Sequence, residues 1–137
     1  MDDLLAEFIA ETREMMDALQ GEIIAWEADP ADRARLDSIF RFVHTVKGNC
    51  GFFDFPRLAA LSHAAEDALA DVRSGQRKPD SALVDAVLAI IDRVAEMVAE
   101  IESGRDIEEG DDTYLIEALE PGGAVALTEE GESAIAL

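Results

Sequence analysis

Apolar residues recur along this chain at helical spacing, and four stretches carry the pattern far enough to define elements. Leu5, Phe8, Ile9, Thr12, Met15, Met16, Leu19, Ile23 and Trp26 make a stripe about six turns long, with Asp2 or Asp3 ahead of it as a cap. Asp29-Pro30 ends this first helix and opens a second, Asp29 as cap and Pro30 in the first helical position. Leu36, Ile39, Phe40, Val43, Val46 and Cys50 line the second helix, which runs to about Phe52. Asp54 caps a third, with Pro56 in its first turn and Leu58, Leu61, Ala65, Leu69 and Val72 inward; Ser74-Gly75 closes it. Pro79-Asp80-Ser81 opens a fourth, with Leu83, Val87, Ile90, Ile91, Val94, Met97, Val98 and Ile101 inward and Ser103-Gly104 at its end. After an acidic loop, Asp112 to Leu119 reads as a short fifth helix with Tyr114, Leu115 and Leu119 on its apolar side. The expected fold is all-α: an antiparallel up-down four-helix bundle with a short fifth C-terminal helix, in one domain over residues 1–120. Glu120-Pro121-Gly122-Gly123 breaks the periodicity, and residues 121–137 read as a flexible acidic linker to further domains.

Composition narrows the partners. A chain of 137 residues, 49% hydrophobic and 31% charged, can build one core. A net charge of −20 repels phosphate-rich surfaces, so nucleic acid and anionic membranes are poor partners and a basic-rimmed protein is a better one. The single cysteine, Cys50, sits on an apolar stripe and reads as a small buried hydrophobe in a reducing compartment. No run approaches ~18 apolar residues, and no basic-then-apolar leader opens the chain. A cytoplasmic, monomeric domain without membrane insertion is expected.

The chemistry concentrates in the second helix. At 100° per residue, His44 falls on the flank of the apolar stripe together with Asp37, Arg41, Gly48 and Gly51. Two glycines inside a helical pattern cost about 1 kcal/mol each relative to alanine. Bare backbone beside a half-wet imidazole suits a side chain that a large partner must reach. The exposed faces of the first two helices around His44, with Arg41, Thr45, Gly48, Gly51 and Met16, are the candidate docking surface; Met16 would be an adaptable contact at the edge of its stripe. On the third helix, His63 and Glu66 occupy the equivalent flank. In an antiparallel pair such flanks either face across a seam or point apart. If they face, Glu66 can hold one ring nitrogen of His44 and leave the other as a nucleophile, with Lys47 near enough to neutralise an anion. Read alone, a histidine at the margin of an apolar face is more often structural, and a helical interaction module is the competing reading. Metal is not expected: the Glu-x-x-His spacing of di-iron bundles is absent, since Arg41 and Ala60 stand three residues before the histidines. No phosphate-binding loop or serine elbow is present.

His44-Thr45-Val46-Lys47-Gly48 with Gly51, followed by His63-Ala64-Ala65-Glu66, resembles the histidine phosphotransfer (HPt) domain of the chemotaxis histidine kinase CheA over residues 1 to 120. The resemblance implies that His44 is phosphorylated on its outer ring nitrogen by an ATP-dependent kinase domain. The phosphoryl group then passes to an aspartate of a CheY- or CheB-like response regulator. Glu66 matches the carboxylate that bonds the inner nitrogen, and Lys47 and His63 match neighbours that complete the network. The domain itself would bind no cofactor and would be no enzyme in isolation, ATP and Mg²⁺ being used by the kinase domain and the regulator.

Overall fold

The structure is a computed structural model and describes residues 3–107 and 110–120. Four long helices carry the chain: α1 (Asp3–Ala28), α2 (Arg33–Cys50), α3 (Pro56–Arg73) and α4 (Ser81–Glu102). Each packs on its neighbours in sequence, and α4 closes back on α1. With connections this short, the result is the expected up-down bundle. A single-turn α5 (Thr113–Glu117) lies across α3 and α4. Residues 121–137, read above as a linker, and Asp2 lie outside the described residues.

The four predicted stripes form the core. Trp26, Ile39, Leu58, Leu61, Leu69, Leu83, Val87 and Ile90 are almost wholly withdrawn from water, each of the large ones gaining roughly 1.5–3 kcal/mol from burial. Ala68, Val84 and Ala86, left off their stripes, are buried too, and in α2 the assignment itself shifts. Phe42, left off the α2 stripe, is fully buried, whereas Phe40 is only partly so. The cause is that α2 has two neighbours: its apolar arc widens to bury Phe42, and Phe40 moves to the opposite edge, against α3.

The helix ends follow local hydrogen bonding more closely than proline position. Asp29 donates its N–H to Ala25 and so closes α1, while Pro30 sits in the turn. The cap of α2 is Asp32 instead of Asp29: its carboxylate accepts from Ala34 N–H (3.0 Å) and Arg35 N–H (3.3 Å). Trp26 Nε1 donates to Pro30 O at 3.1 Å and pins this turn. The helix ends at Cys50, two residues before Phe52. Phe55, not Asp54, precedes Pro56 in the capping position of α3, without a side-chain cap bond. Ring contacts accompany it: Phe53 stacks on Phe8 of α1 and meets Phe55, both partly buried, while Phe52, also against Phe53, stays exposed. Asp80 caps α4 as expected, accepting from Leu83 N–H at 2.9 Å. Gly75 and Gly104 take φ of +84°, which only glycine adopts cheaply. Each lets the residue after it bond back across the last helical turn, Gln76 N–H to Asp71 O and Arg105 N–H to Glu100 O.

One buried polar cluster fixes the short helix. Asp112 accepts from Arg57 through Nε and Nη2, both at 2.8 Å, and from Arg93 Nη1 at 2.9 Å. Arg93 also donates to the Tyr114 hydroxyl at 2.9 Å. This ties α5 to both α3 and α4.

Candidate functional site

The flanks of α2 and α3 face each other. His44 Nδ1 is hydrogen-bonded to Glu66 Oε2, and Lys47 Nζ donates to Glu66 Oε1 at 2.5 Å. The three differ sharply in exposure: the Glu66 side chain is 11% exposed and the His44 side chain 62%. A buried carboxylate therefore anchors a wet imidazole. Burial pushes the Glu66 carboxyl up, but the hydrogen bonds from Lys47 and then His44 outweigh it, and the group is held below its ordinary value. Glu66 is thus ionised at neutral pH and can only accept. The proton of the seam then sits on His44 Nδ1, and in the neutral ring Nε2 keeps its lone pair.

The backbone beyond the ring is bare. A Cβ built at Gly48 would meet nothing within 4 Å, and one at Gly51 would meet only the Gly48 carbonyl oxygen at 3.5 Å, an ordinary contact. Packing within the bundle demands neither glycine, which leaves clearance for an approaching molecule as the physical use of the first. Arg41 is exposed and Thr45 half-buried on the same helix. Met16 packs against the core, and it is Met15 that shares a groove with Arg41, Leu19 and Phe42 between α1 and α2.

His63 stands apart from the seam hydrogen bonds. Its Nε2 lies 3.3 Å from Asp67 Oδ2, one turn along α3, and both side chains are exposed. His63, Glu66 and Asp67 offer ligand atoms within 4.8 Å of one another. The Glu66 oxygens, however, are already engaged by His44 and Lys47.

Three neighbours of His44 were not legible as a group. The Phe40 ring lies nearly parallel to the imidazole, 9° between planes with centroids 6.0 Å apart. The Arg73 guanidinium sits 4.3 Å over the Phe40 ring. Arg73 Nε is also 2.9 Å from Asp37 Oδ1. Phasing put Asp37 beside His44, but nothing in the pattern fixed the register that brings Arg73 across from α3. Cys50 behaves as expected: it is buried, and burial pushes its thiol up to about 11. No described helix is long and apolar enough to cross a membrane.

This arrangement has counterparts in known proteins. The chain matches the Hpt domain family over residues 3–104. It is 34% identical over 119 residues to chemotaxis protein CheA of Halobacterium salinarum, covering 87% of this chain and 18% of that protein. Against the sensor histidine kinase CheAY of Helicobacter pylori it is 33% identical over 123 residues, 87% of this chain and 15% of that one. The chain thus spans less than a fifth of these relatives' length. A solved structure, the solution structure of the histidine phosphotransfer domain of CheA, aligns with a TM-score of 0.75 at 28% identity, covering 87% of this chain and 90% of that one. With a helical bundle, a carboxylate-held histidine and matches of this extent, the chain belongs to the Hpt domain family, in the branch carried by CheA-type chemotaxis proteins.

Proposed function

We propose that His44 is the phosphoryl-accepting residue of a phosphotransfer domain in chemotaxis two-component signalling. It is loaded from ATP by a CheA-type kinase catalytic domain and emptied onto an aspartate of a CheY- or CheB-like response regulator. The longer protein of which this chain is a part is, on this reading, a protein histidine kinase. The observation that carries the proposal is the seam: an ionised, buried Glu66 holds the Nδ1 proton while the ring stays exposed next to the bare backbone of Gly48.

The chemistry follows from that geometry. The Nε2 lone pair attacks the terminal phosphorus of the donor and forms the N–P bond. The P–O bond to the nucleoside diphosphate breaks, and its electron pair leaves with the diphosphate. The ring, still protonated on Nδ1, becomes an imidazolium, and Glu66 stabilises that charge across the seam. In the second step the regulator's carboxylate oxygen attacks phosphorus, the N–P bond breaks, and its electrons return to Nε2 as the lone pair. Both steps need in-line approach and charge stabilisation more than covalent help. ATP and Mg²⁺ belong to the partners; this domain contributes an oriented, accessible ring.

The test is labelling. Incubation with a competent CheA-type kinase domain and terminally labelled ATP should give acid-labile, base-stable phosphate that is lost in His44→Gln. Absence of label would leave the helical interaction module, with a structural histidine, as the better reading.

A further inference from the structure

A cleft of about 240 Å3 opens beside His44, lined by Asp37, Phe40, Arg41 and Arg73 together with the imidazole. Two arginines therefore share a cleft with the ring. Neither is fully used. Arg41 is exposed and makes no hydrogen bond or ion pair to another described residue. Arg73 Nε lies 2.9 Å from Asp37 Oδ1, yet neither atom completes a hydrogen bond. Arg73 is held by this ion pair and by Phe40, its guanidinium 4.3 Å over that ring, which in turn lies parallel to His44.

A phosphoryl group on Nε2 brings nearly two negative charges and three strong acceptor oxygens. Lys47 is already committed to Glu66. Planar guanidinium groups suit a phosphoryl group geometrically, because each presents paired N–H donors. We infer that Arg41 and Arg73 form a guanidinium clasp that binds the phosphoryl group on His44 Nε2, both as it is transferred and in the phosphorylated chain. This deepens the phosphotransfer reading and rests on it. Asp37 is the internal competitor: it engages Arg73 in the unphosphorylated chain and loses it when the better anion arrives. Phe40 fixes the Arg73 guanidinium in the cleft that His44 also lines, which sets the clasp apart from a pair of wandering surface charges.

The test avoids partner docking by using phosphoramidate, a small phosphoryl donor, on the 137-residue chain. Wild type, Arg41→Met, Arg41→Lys and Arg73→Met are compared for the rate of His44 loading and for the guanidinium Nε–H NMR signals before and after. The clasp predicts loading about ten-fold slower in each Met variant, from the loss of one charged hydrogen-bonding group. Arg41→Lys should recover much of that rate. The Arg41 and Arg73 Nε–H signals of wild type should move on phosphorylation, which a merely structural role does not produce. Loading within two-fold of wild type in both Met variants, with unmoved Nε–H signals, would overturn the clasp and leave the phosphotransfer reading intact. No label on wild-type His44 from phosphoramidate or from a competent kinase would overturn both. If Arg73→Met unfolds, Arg41→Met carries the test alone, since the Arg41 side chain is exposed and unpaired.

Discussion

Glu66 holds Lys47 and His44 from inside the bundle, and this one carboxylate orients the His44 ring. Its pKa is held below the ordinary 4.5 against the upward pull of burial. A carboxylate depressed on folding stabilises the folded state above its unfolded pKa, and that contribution fades as pH falls through the folded value. The difference in melting temperature between wild type and Glu66→Gln should accordingly be positive near neutrality and shrink toward zero as the pH falls below the ordinary 4.5 and through the lowered folded value. A difference independent of pH would mean that the pair contributes no net stability. Glu66→Ala should stay folded and accept phosphate more slowly, because the ring loses its proton acceptor and its orientation. Kinetics equal to wild type would contradict the seam's role. Cys50 makes the opposite case: with its thiol pushed up to about 11 and shielded, alkylation should be slow until the chain is unfolded. Of these residues, His44 and Glu66 were legible because helical phase puts both on one rotational flank. Phase could not choose between facing and diverging flanks, and packing of α2 on α3 made that choice.

At the scale of the elements, α2 does the most. It buries a wide arc against α1 and α3 and still leaves its outer face low around Gly48. Since a Cβ at Gly48 meets nothing, Gly48→Ala should raise stability by about 0.5–1 kcal/mol, as alanine relieves the backbone entropy cost of a helical glycine. Gly48→Leu should fold as well but transfer slowly to a regulator. Calorimetry and stopped transfer assays check the pair, and a leucine variant with normal transfer would show that the clearance has no use. The limits of pattern reading also appear here. Periodicity located all four long helices and nearly all their inward residues, but it put Phe40 in the core and left Phe42 off the stripe. A stripe assumes one neighbour, and α2 has two. Caps were misplaced at Asp29 and Asp54 for a related reason: a turn pinned by Trp26 and the contacts of Phe8, Phe53 and Phe55 override the local preference of Asp and Pro.

For the whole molecule, long-range contacts were the least legible part. Arg57 and Arg93 meet at Asp112, and no local signal announces a bond across 55 residues. Asp112→Ala leaves two guanidinium groups without their shared acceptor and should cost about 1–3 kcal/mol, with loss of α5 docking visible as faster hydrogen exchange in residues 113–119. The net charge of −20 acts on the same scale. It favours encounter with basic-rimmed proteins, so association with a phosphotransfer partner should slow as ionic strength rises. Arg41, Arg73 and Lys47 stand around His44 within that acidic surface. On the phosphotransfer reading, a single nitrogen of a single ring carries the phosphoryl group. Long-range proton–nitrogen NMR of the histidines, before and after loading by a kinase domain and ATP, tests it most directly. A proton on His44 Nδ1 is expected before loading and phosphorus on His44 Nε2 afterwards, with His63 unchanged; phosphorus on His44 Nδ1 or on His63 would refute the assignment.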